Sequence, residues 1–432
     1  MPTAPRASTR AATPVAPRVP GGMAALRLAA RAQRAEGLID LSRSEPLPLP
    51  LPDGCARAVA EGFERARVYS PAAGLMPARA AAAARASART GLEIGAERVA
   101  IVPGAMAGLA VALRALLQPG DEVIVPAPYF HSYPGQVAML GGRPRIVDTR
   151  ADGGELTPAA VEAAVTDRTR ALLLCNPSNP AGIVLPRDRV AALLAALPAR
   201  VAVIADEVYA DFLYSRDSRE SSGHIVAGPL TRVPEPGTSG RREAGYASVL
   251  AVAADEDAGR EVVALETASK TAAMPGWRVG SAVASDGLAP RLAQAAATLS
   301  GAPGTLAQLA WAAWLEEPPA VDRMAPYRPR LRDALEALEA GGFAVREPAG
   351  TYYVWASADA GGGPALGTPE TALELARRAG VLVWPGILFG DRESVRISLS
   401  VSRRDLREGL GRLTDSWREV REGDVSISGS GR

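Results

Sequence analysis

Lys270 is the one lysine in a chain with 48 basic residues, all the others being arginine. Guanidinium keeps its proton at any ordinary pH. A chain that meets every other need for positive charge with arginine therefore keeps a lone lysine for its amine. A neutral amine adds to an aldehyde and forms a Schiff base. The neighbours suit that chemistry: Thr267 and Ser269 place hydroxyls just ahead of the amine, and Arg278 follows within Pro275-Gly276-Trp277-Arg278-Val279-Gly280. Hydroxyls and a fork-shaped cation together make a phosphate site. An aldehyde-binding amine beside a phosphate site points to pyridoxal 5′-phosphate (PLP). An isolated Ser-Lys pair would read as surface; the motifs elsewhere in the chain decide otherwise.

The elements that must present these groups follow from periodicity and turn residues. Val262 to Leu265 reads as the strand that delivers Thr267, Ser269 and Lys270. Upstream, Val99 to Val102 is an apolar strand ending in Pro103-Gly104, and a helix of period 3.6 runs from Met106 to Leu117. Pro119-Gly120-Asp121 then turns into a strand from Glu122 to Val125, completing a parallel crossover unit. Gly104 would let the backbone approach an anion at the helix N-terminus. Tyr129-Phe130-His131-Ser132-Tyr133 gathers aromatics in a chain with only 5% of them, as a stacking platform or a core cluster. The strand Arg170 to Cys175 ends in the stiff turns of Asn176-Pro177-Ser178-Asn179-Pro180-Ala181-Gly182. Asp206, Glu207 and Tyr209 lie just past the strand Val201 to Ala205, at the edge where open parallel sheets bind ligands. A helix from Asp53 to Arg67, a long one from Pro290 to Trp314, and another from Tyr327 to Ala340 are expected. The last strand, Ser394 to Ser400, carries Arg396.

Composition removes several classes of function. Net charge is +1 with scattered basic residues, which offers no stripe for nucleic acid and no polybasic membrane face. No apolar run reaches the roughly 18 residues needed to span a bilayer. Two cysteines, Cys55 and Cys175, and two histidines, His131 and His224, give neither a disulfide framework nor metal-ligand spacing. A cytoplasmic location is expected. By domain, residues 1–35 read as a disordered tail and 36–67 as the first segment of a small domain. Residues 68–317 form a large domain with an insertion or loop at 215–260. Residues 318–422 complete the small domain, and 423–432 form a second disordered tail.

In this order the motifs resemble the class I/II aminotransferases of PLP fold type I, over residues 37 to 418. The resemblance implies an α/β fold: a large domain with a mixed, mostly parallel sheet between helices, plus a smaller α+β domain. It implies that Lys270 holds PLP and acts as general base, and that Asp206 pairs with the pyridine nitrogen. Asn179 and Tyr209 would bind the ring's 3′ oxygen, and Phe130 would stack on its face. Thr267, Ser269, Arg278 and the backbone of Ala105 and Met106 would hold the phosphate. Tyr69 would reach the cofactor of the neighbouring subunit in a homodimer. Arg396 would grip the substrate α-carboxylate, beside Ser44 and Asn179. Two departures bear on the substrate: Ser44 stands where the family often has glycine, and Met106 where aspartate-specific relatives can carry lysine. Aspartate is therefore not expected as the preferred substrate. A same-fold lyase or cyclase acting on S-adenosylmethionine is the alternative, because Pro275 to Gly280 is similar to 1-aminocyclopropane-1-carboxylate synthases. A ligand-sensing regulator is disfavoured, since the first 36 residues are too short and Pro-rich for a DNA-binding domain.

Overall fold

The structure, a computed structural model, describes residues 26–27, 29–30, 37–214, 246–256, 259–358 and 364–421. Its centre is a seven-stranded sheet. In chain order the strands are β2 (Val99–Val102), β3 (Glu122–Ala127), β4 (Arg143–Asp148), β5 (Thr169–Cys175), β6 (Ala202–Asp206), β7 (Val262–Thr267) and β8 (Gly280–Ala284). Their spatial order is β2-β8-β7-β6-β5-β3-β4. β8 runs antiparallel to both neighbours, and all the other pairs are parallel. Runs such as Val-Ala-Ile-Val in β2 and Ala-Val-Ile-Ala-Asp in β6 are buried along their whole length, as expected of strands covered on both faces. Between β4 and β5 the chain crosses back over β3. Such a reversal opens a crevice at the strand C-termini.

A second, antiparallel sheet in the order β12-β13-β10-β9 joins Ala344–Val345 (β9), Tyr353–Ser357 (β10), Trp384–Pro385 (β12) and Ser394–Ser398 (β13). Near the N-terminus, β1 (Ile39–Asp40) pairs in parallel with β11 (Val381–Leu382). This ties an N-terminal segment to the C-terminal part of the chain, just ahead of Ser44.

Four expectations change. The helix from Asp53 stops at Glu61, and Glu64–Arg67 is a separate 3-10 turn. Gly62 marks the break, where a Cβ would lie 2.2 Å from Leu309 Cδ1 on the crossing helix. The long helix from Pro290 to Trp314 is two, Ala289–Leu299 and Thr305–Glu316. Gly301 takes a left-handed φ of +58 and Pro303 follows, so the helix cannot continue. Part of the 1–35 tail is ordered: Leu26 and Ala30, one turn apart, are helical and pack with Ala372, Ala376 and Trp384. Between them, Arg27 donates to the Ser42 carbonyl at 2.9 Å. Finally, the 215–260 insertion ends in a helix, Val249–Glu256, buried from Val249 to Ala253. Its first amide donates to Glu207 Oε1 at 2.8 Å. The polar composition upstream obscured that apolar run; residues 215–245 lie outside the described residues, as do 1–25 and 423–432.

Among the described residues no helix is long and apolar enough to cross a membrane.

Candidate active site

A cavity of about 270 Å³ opens at the C-terminal ends of β5, β6 and β7. The N-terminus of the helix Ala105–Leu116 closes one end, and Ser44, Tyr353 and Arg396 close the other. Every site residue predicted from the sequence lines it except Tyr69. Tyr69 is fully exposed elsewhere on the surface.

One end gathers groups that can bind an anion. Gly104, at φ +80, leads into the helix, and a Cβ there would stand 2.9 Å from Arg278 Nη2. The glycine thus leaves room for the guanidinium beside the helix N-terminus. The first amides of that helix, Ala105 and Met106, have no intrahelical partner by geometry. Arg278 holds a left-handed φ of +51 and donates to the Pro275 carbonyl at 2.9 Å and to Ser269 Oγ at 3.4 Å. Thr267 Oγ1 donates to the same Ser269 oxygen at 3.1 Å. Hydroxyls, amides and a guanidinium converge on one space.

Along the floor, the Asp206 carboxylate accepts from Tyr133 Oη at 2.6 Å. Burial pushes the Asp206 carboxyl above its usual range; the Tyr133 hydrogen bond, the Val208 amide and the Lys270 charge work in the opposite direction. Asn179 Nδ2 donates to Tyr209 Oη at 3.3 Å, and that oxygen shares a hydrogen bond of 3.2 Å with Tyr353 Oη. Burial raises the Tyr209 phenol. Burial also opposes ionisation of Tyr353, but Lys270 and Arg396 outweigh it and hold that phenol below its ordinary value.

Lys270 sits in a single helical turn, Ala268–Thr271, at the end of β7. Its Nζ donates to the Ser44 carbonyl, which also accepts from Tyr352 Oη at 2.9 Å and Tyr353 Oη at 3.3 Å.

At the far end, Arg396 on β13 is 1% exposed. It donates to Asn179 Oδ1 at 3.0 Å and to Ser44 Oγ at 2.9 Å. Its guanidinium lies 4.0 Å from the ring centre of Tyr353, 5.0 Å from Trp384 and 5.3 Å from Phe389. Nε has no partner, and among the described residues no carboxylate pairs with this cation. A buried charge without a counter-ion is costly, so this geometry is poised for an anion that arrives from the cavity.

Tyr133, Tyr353 and His131 line the cavity without an assigned role in the sequence reading. Tyr133 had a signal: it stands three residues after Phe130, and the two rings meet edge to face at 5.5 Å. Tyr353 and His131 depend on contacts between distant segments.

A family model for aminotransferases of class I and II matches residues 36–413. The chain belongs to that family. It is 31% identical over 411 residues to the aspartate aminotransferase of Streptomyces avermitilis, covering 91% of this chain and 93% of that one. It is 30% identical over 411 residues to the aspartate/prephenate aminotransferase of Thermus thermophilus, covering 91% and 95%. A solved single mutant of Thermus thermophilus aspartate aminotransferase superposes with a TM-score of 0.76 at 28% identity, covering 95% of this chain and 99% of that one. The fold is PLP fold type I, and this aminotransferase family member is an enzyme that transfers amino groups. Nothing among these relatives supports the S-adenosylmethionine alternative.

Proposed function

We propose that the protein is a PLP-dependent aminotransferase that acts on α-amino acids bearing a free carboxylate. The observation that carries this reading is the sharing of one cavity by the sole lysine and a buried arginine that has no counter-ion among the described residues. Ser44 links the two, its carbonyl receiving Lys270 and its hydroxyl receiving Arg396.

The residues fit PLP. The Gly104–Arg278 cradle leaves the space that a phosphate needs, a buried carboxylate waits along the floor, and the amine stands between them. Thr267, Ser269, Arg278 and the amides of Ala105 and Met106 would hold the phosphate, and Asp206 would hold the ring nitrogen. Asn179 and Tyr209 would meet the ring's oxygen, with Phe130 against its face. Bound there, PLP supplies an electron sink that makes the substrate α-carbon acidic. Lys270 anchors the cofactor and, once released, is placed to take a proton at the α-carbon and return it elsewhere. Arg396 orients the α-carboxylate by a two-pronged grip that ammonium cannot reproduce. Tyr133 keeps Asp206 oriented as an acceptor from the ring side.

We also propose a homodimer. Phe63, Val68, Tyr69 and Met76 are large apolar side chains left exposed within one short stretch of chain, which a second copy would cover. Tyr69 would then reach the phosphate of the partner's cofactor. Two cysteines without a disulfide suit a reducing compartment, and we place the enzyme in the cytoplasm. A single-turnover experiment tests the reaction: PLP-loaded protein mixed with amino acids and no acceptor should release one 2-oxo acid per site. Methylthioadenosine from S-adenosylmethionine, with no 2-oxo acid from any amino acid, would contradict the reading.

A further inference from the structure

We infer that His131 selects substrates with a planar, uncharged side chain, making aromatic α-amino acids the preferred class. This rests on the transamination reading above and extends it to the substrate's far end.

Three observations converge. The first is position. The His131 ring stacks on Trp384 at 5.0 Å and 24°, and meets Phe389 edge-on at 6.3 Å. Trp384 and Phe389 are two of the rings that flank the Arg396 guanidinium. His131 therefore stands beside the α-carboxylate anchor, on the side of the cavity where Phe130 adds a ring at 4.4 Å. Its remaining face is exposed to the cavity.

The second is charge. The cations lining the cavity are Lys270, Arg278 and Arg396, and each already has a task. Among the described lining residues, a substrate with a second carboxylate would find no cation without a task, and Glu45 adds a negative charge to the same cavity. Met106 stands where such a cation could have come from the helix N-terminus, with its sulfur accepting from Ser132 Oγ at 3.2 Å. The subsite therefore disfavours aspartate, the amino acid for which several relatives are named.

The third is the state of the imidazole. Burial of its stacked face, with the Arg396 charge added, lowers its pKa below the ordinary value. Near pH 7 His131 is a flat neutral ring, and it offers no cation to a side-chain carboxylate. Aromatic rings favour offset or edge contacts with such a surface, and one such contact is worth about two- to tenfold in binding.

The test uses the PLP-loaded full chain with phenylalanine, alanine, aspartate and arginine, and with the unreactive acids 3-phenylpropionate and succinate. The expected result is kcat/KM for phenylalanine about tenfold or more above the other three, and tighter calorimetric binding of 3-phenylpropionate than of succinate. In His131→Ala the phenylalanine-to-alanine ratio of kcat/KM should fall about two- to tenfold, while His131→Phe, which keeps a planar wall, should retain it. Aspartate or arginine as the best substrate, or an unchanged ratio in His131→Ala, overturns the inference and leaves transamination standing. Failure of every amino acid to yield a 2-oxo acid sinks the transamination reading, and this inference with it.

Discussion

Tyr133 donates its phenol proton to Asp206 at 2.6 Å, and both side chains are buried. The bond aims Oδ2, Oδ1 accepts from the Val208 amide at 3.4 Å, and the carboxylate lines the cavity. Tyr133→Phe removes the donor and leaves a buried acceptor short of a partner, a change worth about 1–3 kcal/mol. PLP affinity should fall about tenfold, measured by equilibrium dialysis. Unchanged affinity would show that Tyr133 only fills space.

Arg396 is proposed above as the grip on the substrate α-carboxylate. Its two terminal nitrogens reach Asn179 and Ser44 together, so a carboxylate that enters meets a guanidinium already fixed in plane. Arg396→Lys keeps the charge and loses the fork. A charge-assisted hydrogen bond contributes about 1.5–3 kcal/mol, so kcat/KM should drop by roughly 10- to 100-fold, mainly through KM. Steady-state kinetics with the best amino donor decides this.

Behind Lys270 lies an ionic cluster, half-buried around the buried Glu266 carboxylate. Arg85 bridges Glu266 at 2.5 Å and Asp211 at 2.6 Å, Arg89 reaches both at 3.1 Å, and Arg323 lies 3.5 Å from Asp211. Arg323 also donates to the Thr271 carbonyl at 2.8 Å, in the helical turn that carries the lysine. Burial alone would raise both carboxyls, but the guanidiniums prevail and hold Asp211 and Glu266 below their ordinary values. Groups held low in the folded state add stability that is fully present above their unfolded pKa, about 4, and is lost as pH falls further. Asp206 and Glu207 are raised by burial and act in the opposite sense, so a variant is needed to isolate the cluster. Asp211→Asn should unfold at lower temperature by an amount equivalent to about 3 kcal/mol at pH 7, with a smaller deficit near pH 3. Calorimetric scans at both pH values measure it, and an equal deficit at both would contradict the assignment.

Tyr69 provides the test of composite sites. Tyr69→Phe and Lys270→Ala homodimers should both be impaired. Mixing their subunits should create one site with both lesions and one with neither, so activity should partly return. Activity that stays at the average of the two parents would place Tyr69 outside the partner's site.

Much of this was legible in the sequence because the site is built from strand ends and turns whose residues announce themselves. The lone Lys270 behind Thr267 and Ser269, Gly104 before a helix, and Asp206 after an apolar strand needed only local pattern. What stayed hidden joins distant segments. The Ser44 carbonyl that receives Lys270 is 226 positions away, and His131 meets Trp384 only because β12 of the smaller sheet faces the loop after β3. The helix Val249–Glu256 was missed for another reason: five buried apolar residues make too short a run to stand out beside a long polar stretch. The break at Gly301 to Pro303 was present in the residues themselves and was overridden by apolar periodicity on both sides.

The most direct test of the whole account is where PLP attaches. Protein incubated with PLP, reduced with borohydride and digested should carry the pyridoxyl group on the peptide containing Lys270, in about one copy per chain, and Lys270→Ala should carry none there. Because the chain has one lysine, the only competing primary amine is the amino terminus. A label confined to the amino terminus, or no retained PLP at all, would contradict the account.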